Sequence, residues 1–138
     1  MRITGGKFKG REIFSYKDKD KELKPTSSKT REALFNLLKH SKFLKELDDY
    51  NPEVDFIKDK IILDLFCGTG LISFEAISRG ASGAILIDKN GQTLDIAKKT
   101  ADSFDISHIC NFKRSSSIEL PKASKKVDIV FLDPPYNN

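Results

Sequence analysis

Residues 61–80, IILDLFCGTGLISFEAISRG, constrain the fold more than any other stretch of the chain. Ile61–Phe66 is a short run, apolar but for Asp64, of the kind found at the centre of a parallel sheet covered on both faces. Gly68, Thr69 and Gly70 follow as a turn, and Leu71–Arg79 reads as a helix stopped by Gly80. The same alternation continues downstream. Ala84–Asp88 is a second strand, Gln92–Phe104 a second helix with Leu94, Ala97 and Ala101 on one side, Ile109–Phe112 a third strand and Val127–Leu132 a fourth. Strands alternating with helices of this length imply right-handed crossovers, hence an α/β, doubly wound and mostly parallel sheet.

The N-terminal part reads differently. Met1–Thr4 and Arg11–Tyr16 flank Gly5, Gly6 and Gly10, the signature of a small hairpin or meander, and Pro25 punctuates its end. Ser27 or Ser28 then caps a helix through Lys39, with Ala33, Leu34, Leu37 and Leu38 as its apolar stripe. The expected division is therefore 1–25 as a β appendage and 26–138 as the α/β domain. Net charge is also uneven along the chain. Residues 1–31 carry ten basic and four acidic side chains, whereas residues 61–138 carry nine of each. The basic stretch, with Arg2, Lys7, Lys9, Arg11, Lys24 and Arg31 among its cations, suits phosphate neutralisation. Its aromatics Phe8, Phe14 and Tyr16 fit a small apolar face of the hairpin better than base stacking.

Asp64-x-x-x-Gly68-x-Gly70 at the end of the first strand is a nucleoside-cofactor pattern. Glycines let the backbone approach a ligand and turn sharply into a helix whose amides favour electron-rich groups. The second strand ends in Asp88, placed to accept both hydroxyls of a ribose. NAD and S-adenosylmethionine (SAM) compete for such a site. The loop lacks a GK[ST] phosphate grip and has Ser73 at the third glycine position, and Asp64 suits an ammonium group better than a pyrophosphate.

The fourth strand decides between them. It runs into Asp133-Pro134-Pro135-Tyr136, and two prolines fix a rigid, extended exit from the sheet. The Asp133 carboxylate and the Pro134 carbonyl become two acceptors held beside the aromatic face of Tyr136. The exocyclic amine of a nucleobase is a poor nucleophile because its lone pair is delocalised. Two acceptors on its N–H groups can hold it in line with a methyl donor while Tyr136 stacks on the base, which must first be unstacked or flipped.

With these stretches in view, the chain resembles the bacterial 16S ribosomal RNA guanine-N2 methyltransferases, SAM-dependent enzymes of the Rossmann-like class. The matching segments are Arg2–Gly6 with Lys9-Gly10-Arg11, Lys24-Pro25-Thr26, Thr30–Asn36, Leu63–Gly70, Glu75-Ala76 with Ser78–Ala81, and Asp133–Tyr136. The glycine loop and the DPPY motif fit many amino-methyltransferases; the N-terminal motifs narrow the match. The resemblance implies that Arg2, Arg11, Thr26 and Arg31 hold RNA or shape the base pocket. It implies that Asp64, Gly68, Thr69, Gly70 and Asp88 hold SAM, and that Asp133, Pro134 and Tyr136 present the guanine amine. Ser116 stands where the family offers Asp or Asn to the adenine, Asp88 where it has glutamate, and Lys24 and Lys29 where it has arginine.

The partner implied is 16S ribosomal RNA or the small ribosomal subunit, in the cytoplasm, with no membrane and no metal. His40 and His108 lack ligands at metal spacing, and Cys67 and Cys110 form no redox pattern. Two other readings remain open: an adenine-N6 methyltransferase of DNA or RNA, and a truncated, non-catalytic SAM- or RNA-binding remnant. The family fold has about seven strands, so a chain with four in alternation is expected to be C-terminally incomplete. Its fourth strand would then be an apolar edge, covered by the rest of such a domain or by a second chain.

Overall fold

The computed structural model describes residues 1–16, 27–40, 45–47, 51, 53–116 and 126–134. Within them lie helix α1 (Ser28–His40), strand β1 (Ile61–Asp64), helix α2 (Leu71–Ser78), strand β2 (Gly83–Asp88), helix α3 (Gly91–Ser103), strand β3 (Cys110–Arg114) and strand β4 (Ile129–Phe131). The four strands form one parallel sheet in the order β3-β2-β1-β4. The chain steps outward from β1 through β2 to β3, then returns to pair β4 with the other side of β1. That reversal makes the gap between the carboxyl ends of β1 and β4 a topological switch point, where open α/β sheets form their ligand crevice.

Register explains the core. Ile129, Ile62, Ala84 and Cys110 align across the four strands, and Phe131, Asp64, Leu86 and Phe112 form the next matching row. Alternation along a strand puts these rows on one face of the sheet. Ile62, Ala84 and Leu86 are buried there with Phe74 and Ile77 of α2 and Leu94, Ala97 and Ala101 of α3. On the opposite face Leu63 and Ile85 are half-buried and Val130 is exposed. The first strand is covered unevenly on its two faces: Ile62 and Asp64 are buried, Ile61 and Leu63 half-buried. The ladder also stops at Asp64, because Leu65 and Phe66 already turn toward the glycine loop, though the Leu65 amide still donates to the Phe131 carbonyl at 3.2 Å.

The first thirteen residues pair as a short antiparallel loop, with Arg2 bridged to Glu12. The Ile3 amide donates to the Arg11 carbonyl at 2.9 Å, and the Ile13 amide to Met1 at 3.0 Å. Ile3, Phe8 and Ile13 are buried in the same cluster as the sheet and its helices. The boundary expected between residues 25 and 26 lies outside the described residues. Phe8 stacks on Phe104 with ring centres 4.7 Å apart, while Phe14 stays half exposed. Among the described residues, no helix is long and apolar enough to cross a membrane.

Candidate functional site

The switch point collects three carboxylates. Asp64, at the end of β1, is buried, and its Oδ2 accepts a 2.8 Å hydrogen bond from the Ser73 hydroxyl on α2. Burial pushes its carboxyl up to about 6; the nearby Asp88 and Asp133 carboxylates push the same way, and the Ser73 bond opposes them. Asp64 therefore lies close enough to Asp88 and Asp133 to sense their charge. A cation would relieve that repulsion.

The loop between β1 and α2 is fixed by backbone bonds. The Cys67 amide donates to the Ile87 carbonyl at 3.1 Å and the Gly70 amide to the Cys67 carbonyl at 2.8 Å. Gly70 sits at φ 87° at the head of α2, and a Cβ there would lie 2.5 Å from the Phe74 ring. Gly68, at φ 55°, has the opposite surroundings: nothing lies within 4 Å of where its Cβ would be. One glycine is needed for packing and the other leaves backbone bare, the space a nucleoside cofactor would use. Thr69, between them, is half-buried. Burial also pushes the Cys67 thiol upward, which fits a filler and not a nucleophile.

Asp88 closes the other wall. Its Oδ2 accepts from the Gly68 amide and its Oδ1 from the Asn90 amide, each at 2.9 Å, while Asn90 in turn caps α3. Each carboxylate oxygen has further acceptor capacity, so the side chain can steady both loops and still accept ribose hydroxyls. The Ser115 amide donates to the Asp88 carbonyl at 3.1 Å, and this brings the end of β3, with exposed Ser116, alongside. Asp133 is exposed and Pro134 half-buried just past β4. Tyr136, like Lys24 and Thr26, lies outside the described residues. These residues fit a nucleoside cofactor carrying a positive charge: bare backbone at Gly68, a carboxylate at each end, and acceptors at the end of β4.

The basic residues are arranged less simply than their spacing implies. Lys7 and Lys9 are exposed, and Arg2 faces Glu12 across an exposed 3.4 Å ion pair while donating to the Gly10 carbonyl at 2.7 Å. Arg11 lies over the Phe104 ring at 4.3 Å and donates to the Ser103 carbonyl at 2.8 Å, so it caps the end of α3. Arg31 differs from all of these. It is fully buried, its Nη2 donates to the Arg2 carbonyl at 2.9 Å, and its Nε and Nη1 have no hydrogen-bond partner among the described residues. From this buried position the Arg31 guanidinium reaches the Arg2 backbone and senses the charges of Glu75, Glu32 and Arg79.

Two residues went unassigned in the sequence reading, Ser73 and Glu75. Both are buried polar side chains of α2, a helix that is apolar apart from these two and Ser78. That composition was the available signal, since a lone carboxylate in an apolar helix requires partners.

Comparison with known proteins concerns the family and the fold. The family model described as conserved hypothetical protein 95 matches residues 1–138. The ribosomal RNA small subunit methyltransferase D of Buchnera aphidicola subsp. Acyrthosiphon pisum is 32% identical over 136 residues, covering 98% of this chain and 62% of the relative. An uncharacterized methylase of Rickettsia prowazekii is 32% identical over 126 residues, covering 91% of this chain and 49% of that protein. The solved structure of yhhF from Escherichia coli superposes with a TM-score of 0.71 at 28% identity, covering 99% of this chain and 64% of that one. An RNA methyltransferase from Salinibacter ruber, solved with S-adenosyl-L-homocysteine, shares the fold at a TM-score of 0.53 and 15% identity, over 70% of this chain and 52% of that one. The chain thus spans about half to three-fifths of the length of the curated relatives it matches. The four-stranded parallel sheet is that of the Rossmann-like methyltransferases, and the chain belongs to the family described as conserved hypothetical protein 95.

Proposed function

We propose that this chain carries the cofactor- and base-binding part of a SAM-dependent methyltransferase that modifies the exocyclic N2 amine of a guanine in 16S ribosomal RNA. The observation that carries the reading is the open backbone at Gly68, tied to Asp88 next to the buried Asp64 at the strand ends, with Asp133 just past β4. The kinship with small-subunit ribosomal RNA methyltransferase D proteins supports the choice of substrate.

The cofactor supplies an electrophilic methyl group on a sulfonium. Asp64 would accept its ammonium group, directly or through water, and Asp88 would accept the ribose hydroxyls. Ser116, beside Asp88, would meet the adenine. At the end of β4 the Asp133 carboxylate and the Pro134 carbonyl would each accept an N–H of the base amine, which turns its lone pair toward the methyl. Asp133 is exposed, so the proton lost by the methylated nitrogen can leave to water. Positioning and exclusion of water do most of the work in such a transfer, with no covalent intermediate and no metal ion. Tyr136 would stack on the base. Arg2, Lys7, Lys9 and Arg11, with Lys24 and Thr26, would hold the RNA backbone. The apolar edge of β4, with Val130 52% and Leu132 65% exposed, would pair with a further strand. A cytoplasmic location follows from this substrate.

The test is nucleoside analysis of undermethylated small ribosomal subunits incubated with the chain and labelled SAM. N2-methylguanosine is expected. N6-methyladenine would replace the base assignment, and SAM binding without turnover would point to a binding module. Asp133→Ala should abolish transfer while SAM affinity stays within about tenfold, since it removes an acceptor for the base and not for the cofactor.

A further inference from the structure

Glu75 is the one charged residue of α2, LISFEAIS, and it is fully buried. Its carboxylate reaches 71 residues back along the chain. The Thr4 hydroxyl donates to Oε1 at 2.6 Å, the Thr4 amide to Oε1 at 2.9 Å and Oε2 at 3.2 Å, and the Gly5 amide to Oε2 at 3.3 Å. Arg79, one turn on, donates from Nε to Oε2 at 3.5 Å and from Nη2 to the Thr4 hydroxyl oxygen at 3.1 Å. Ser78 adds its own bonds, its carbonyl accepting from the Lys7 amide at 2.7 Å and its hydroxyl oxygen from the Phe8 amide at 2.8 Å.

This joint touches both halves of the site. α2 starts at Gly70 of the glycine loop, so the helix that grips Thr4 is the one that ends the cofactor cradle. On the other side the Arg79 guanidinium lies 5.0 Å from the Phe35 ring centre, and Phe35 meets Phe131 with centres 6.1 Å apart. Phe131 is the last residue of β4, two before Asp133. An apolar residue at 75 would fill the same space at lower desolvation cost. A carboxylate gripped by four donor groups adds a fixed register, which apolar contact alone does not enforce.

Resting on the function proposed above, we propose that the Glu75–Thr4 clamp, buttressed by Arg79, positions the N-terminal RNA-contacting segment at a set distance from the cofactor loop and Asp133. Glu75, Thr4 and Arg79 are then positioning residues. They touch neither cofactor nor base, and they act by placing Arg2, Lys7 and Lys9.

The test uses the full chain with undermethylated small ribosomal subunits as substrate and calorimetry for SAM. Thr4→Val keeps the shape and the backbone bonds but removes the hydroxyl from Glu75. The KM for RNA should rise roughly tenfold, while kcat at saturating RNA and the affinity for SAM stay within about twofold. Thr4→Ser, which keeps the hydroxyl, should restore the wild-type KM. If Thr4→Val does not fold, Glu75→Gln, nearly isosteric and weaker as an acceptor, should show the same split. An unchanged KM, a parallel fall in kcat and SAM affinity, or a Thr4→Ser variant no better than Thr4→Val would each overturn the clamp. A wild-type chain that methylates no RNA would overturn the proposed function and the clamp with it; an active wild type with an unaltered Thr4→Val would overturn the clamp alone.

Discussion

The Gly68 amide donates to Asp88 Oδ2 at 2.9 Å, so the acid at the end of β2 holds the glycine loop at the end of β1. The other oxygen accepts from Asn90, at the head of α3. One side chain therefore fixes two neighbouring loops, and the cleft between the strand ends has a defined width before any ligand arrives.

Asp88→Ala should consequently do more than remove a ribose partner. Two amides lose their acceptor, and charge-assisted bonds to backbone are worth about 1.5–3 kcal/mol each where burial is high. The site is only half-buried. A combined loss near the lower figure, about 1.5 kcal/mol, is therefore expected in denaturant unfolding. SAM affinity should fall by more than about tenfold. Asp88→Asn keeps one acceptor oxygen and should fall between wild type and Asp88→Ala in both measurements. Equal stability for all three proteins would mean that Asp88 does not tie the loops.

Asp64 sets stability against binding. Its carboxyl titrates at about 6 in the fold and at 3.8 as a free group, so the folded state favours the protonated form. The contribution to stability is thus most favourable below pH 3.8 and is lost as pH rises through about 6, where the buried charge costs about 3 kcal/mol. Asp64→Asn avoids the charge and can still accept from Ser73. Its unfolding free energy at neutral pH should exceed that of wild type by about 1–3 kcal/mol, and the gain should shrink as pH falls below about 6. SAM binding should show the reverse preference. Wild-type affinity should weaken on acidification through about 6, as the carboxylate that would face the ammonium is neutralised. The Asp64→Asn variant should bind weakly at every pH. A wild-type affinity flat from about pH 5 to 8 would remove Asp64 from the cofactor site.

Strand-end chemistry was legible in the sequence. Asp64, Gly68, Gly70, Asp88 and Asp133 each sit at or just past the carboxyl end of a strand, and the helix–strand period places those ends without knowledge of long-range contacts. The N-terminal cations were not legible in the same way. Ten basic residues in the first 31 suit phosphate neutralisation, but the sequence does not show that Arg11 also caps α3 or that Arg31 is buried with its Nη2 on the Arg2 carbonyl. Their placement depends on partners tens of residues away, such as Ser103 and Arg2, which no local period encodes. The uneven cover of the two faces of β1 escaped for a related reason, because an apolar run carries no information about which layers are present to cover it.

Gly70 and Gly68 should respond differently to the same change. At Gly70 a methyl group would meet the Phe74 ring at 2.5 Å, in a backbone conformation at φ 87° that alanine disfavours. Gly70→Ala should therefore cost about 2–4 kcal/mol of stability. At Gly68 nothing obstructs the methyl, so Gly68→Ala should cost only the conformational term of about 1–2 kcal/mol. The methyl would nevertheless stand in the open space over the loop, and SAM affinity should drop by at least about tenfold. Calorimetry paired with thermal unfolding separates the two, and a Gly68→Ala protein with wild-type affinity would place the cofactor elsewhere.

Gly6 and Gly10 give the matching test of the N-terminal joint. Both adopt left-handed backbone, with φ 79° and 85°. The conformational penalty for alanine is therefore similar at the two sites, about 1–2 kcal/mol. Their surroundings differ. A Cβ on Gly6 would lie 2.0 Å from the Ser78 carbonyl oxygen, in the stretch where the Lys7 amide donates to that same oxygen, whereas a Cβ on Gly10 would meet nothing within 4 Å. The obstructing atom belongs to the backbone at the end of α2, so the clash cannot be relieved by a side-chain rotation and the segment must lift. Gly6→Ala should cost at least about 3 kcal/mol, and amide protection from Ile3 to Phe8 should collapse while the protection of β1 and β2 persists. Gly10→Ala should stay within the conformational figure and keep that protection. Equal losses at the two positions would show that the loop is not seated on α2.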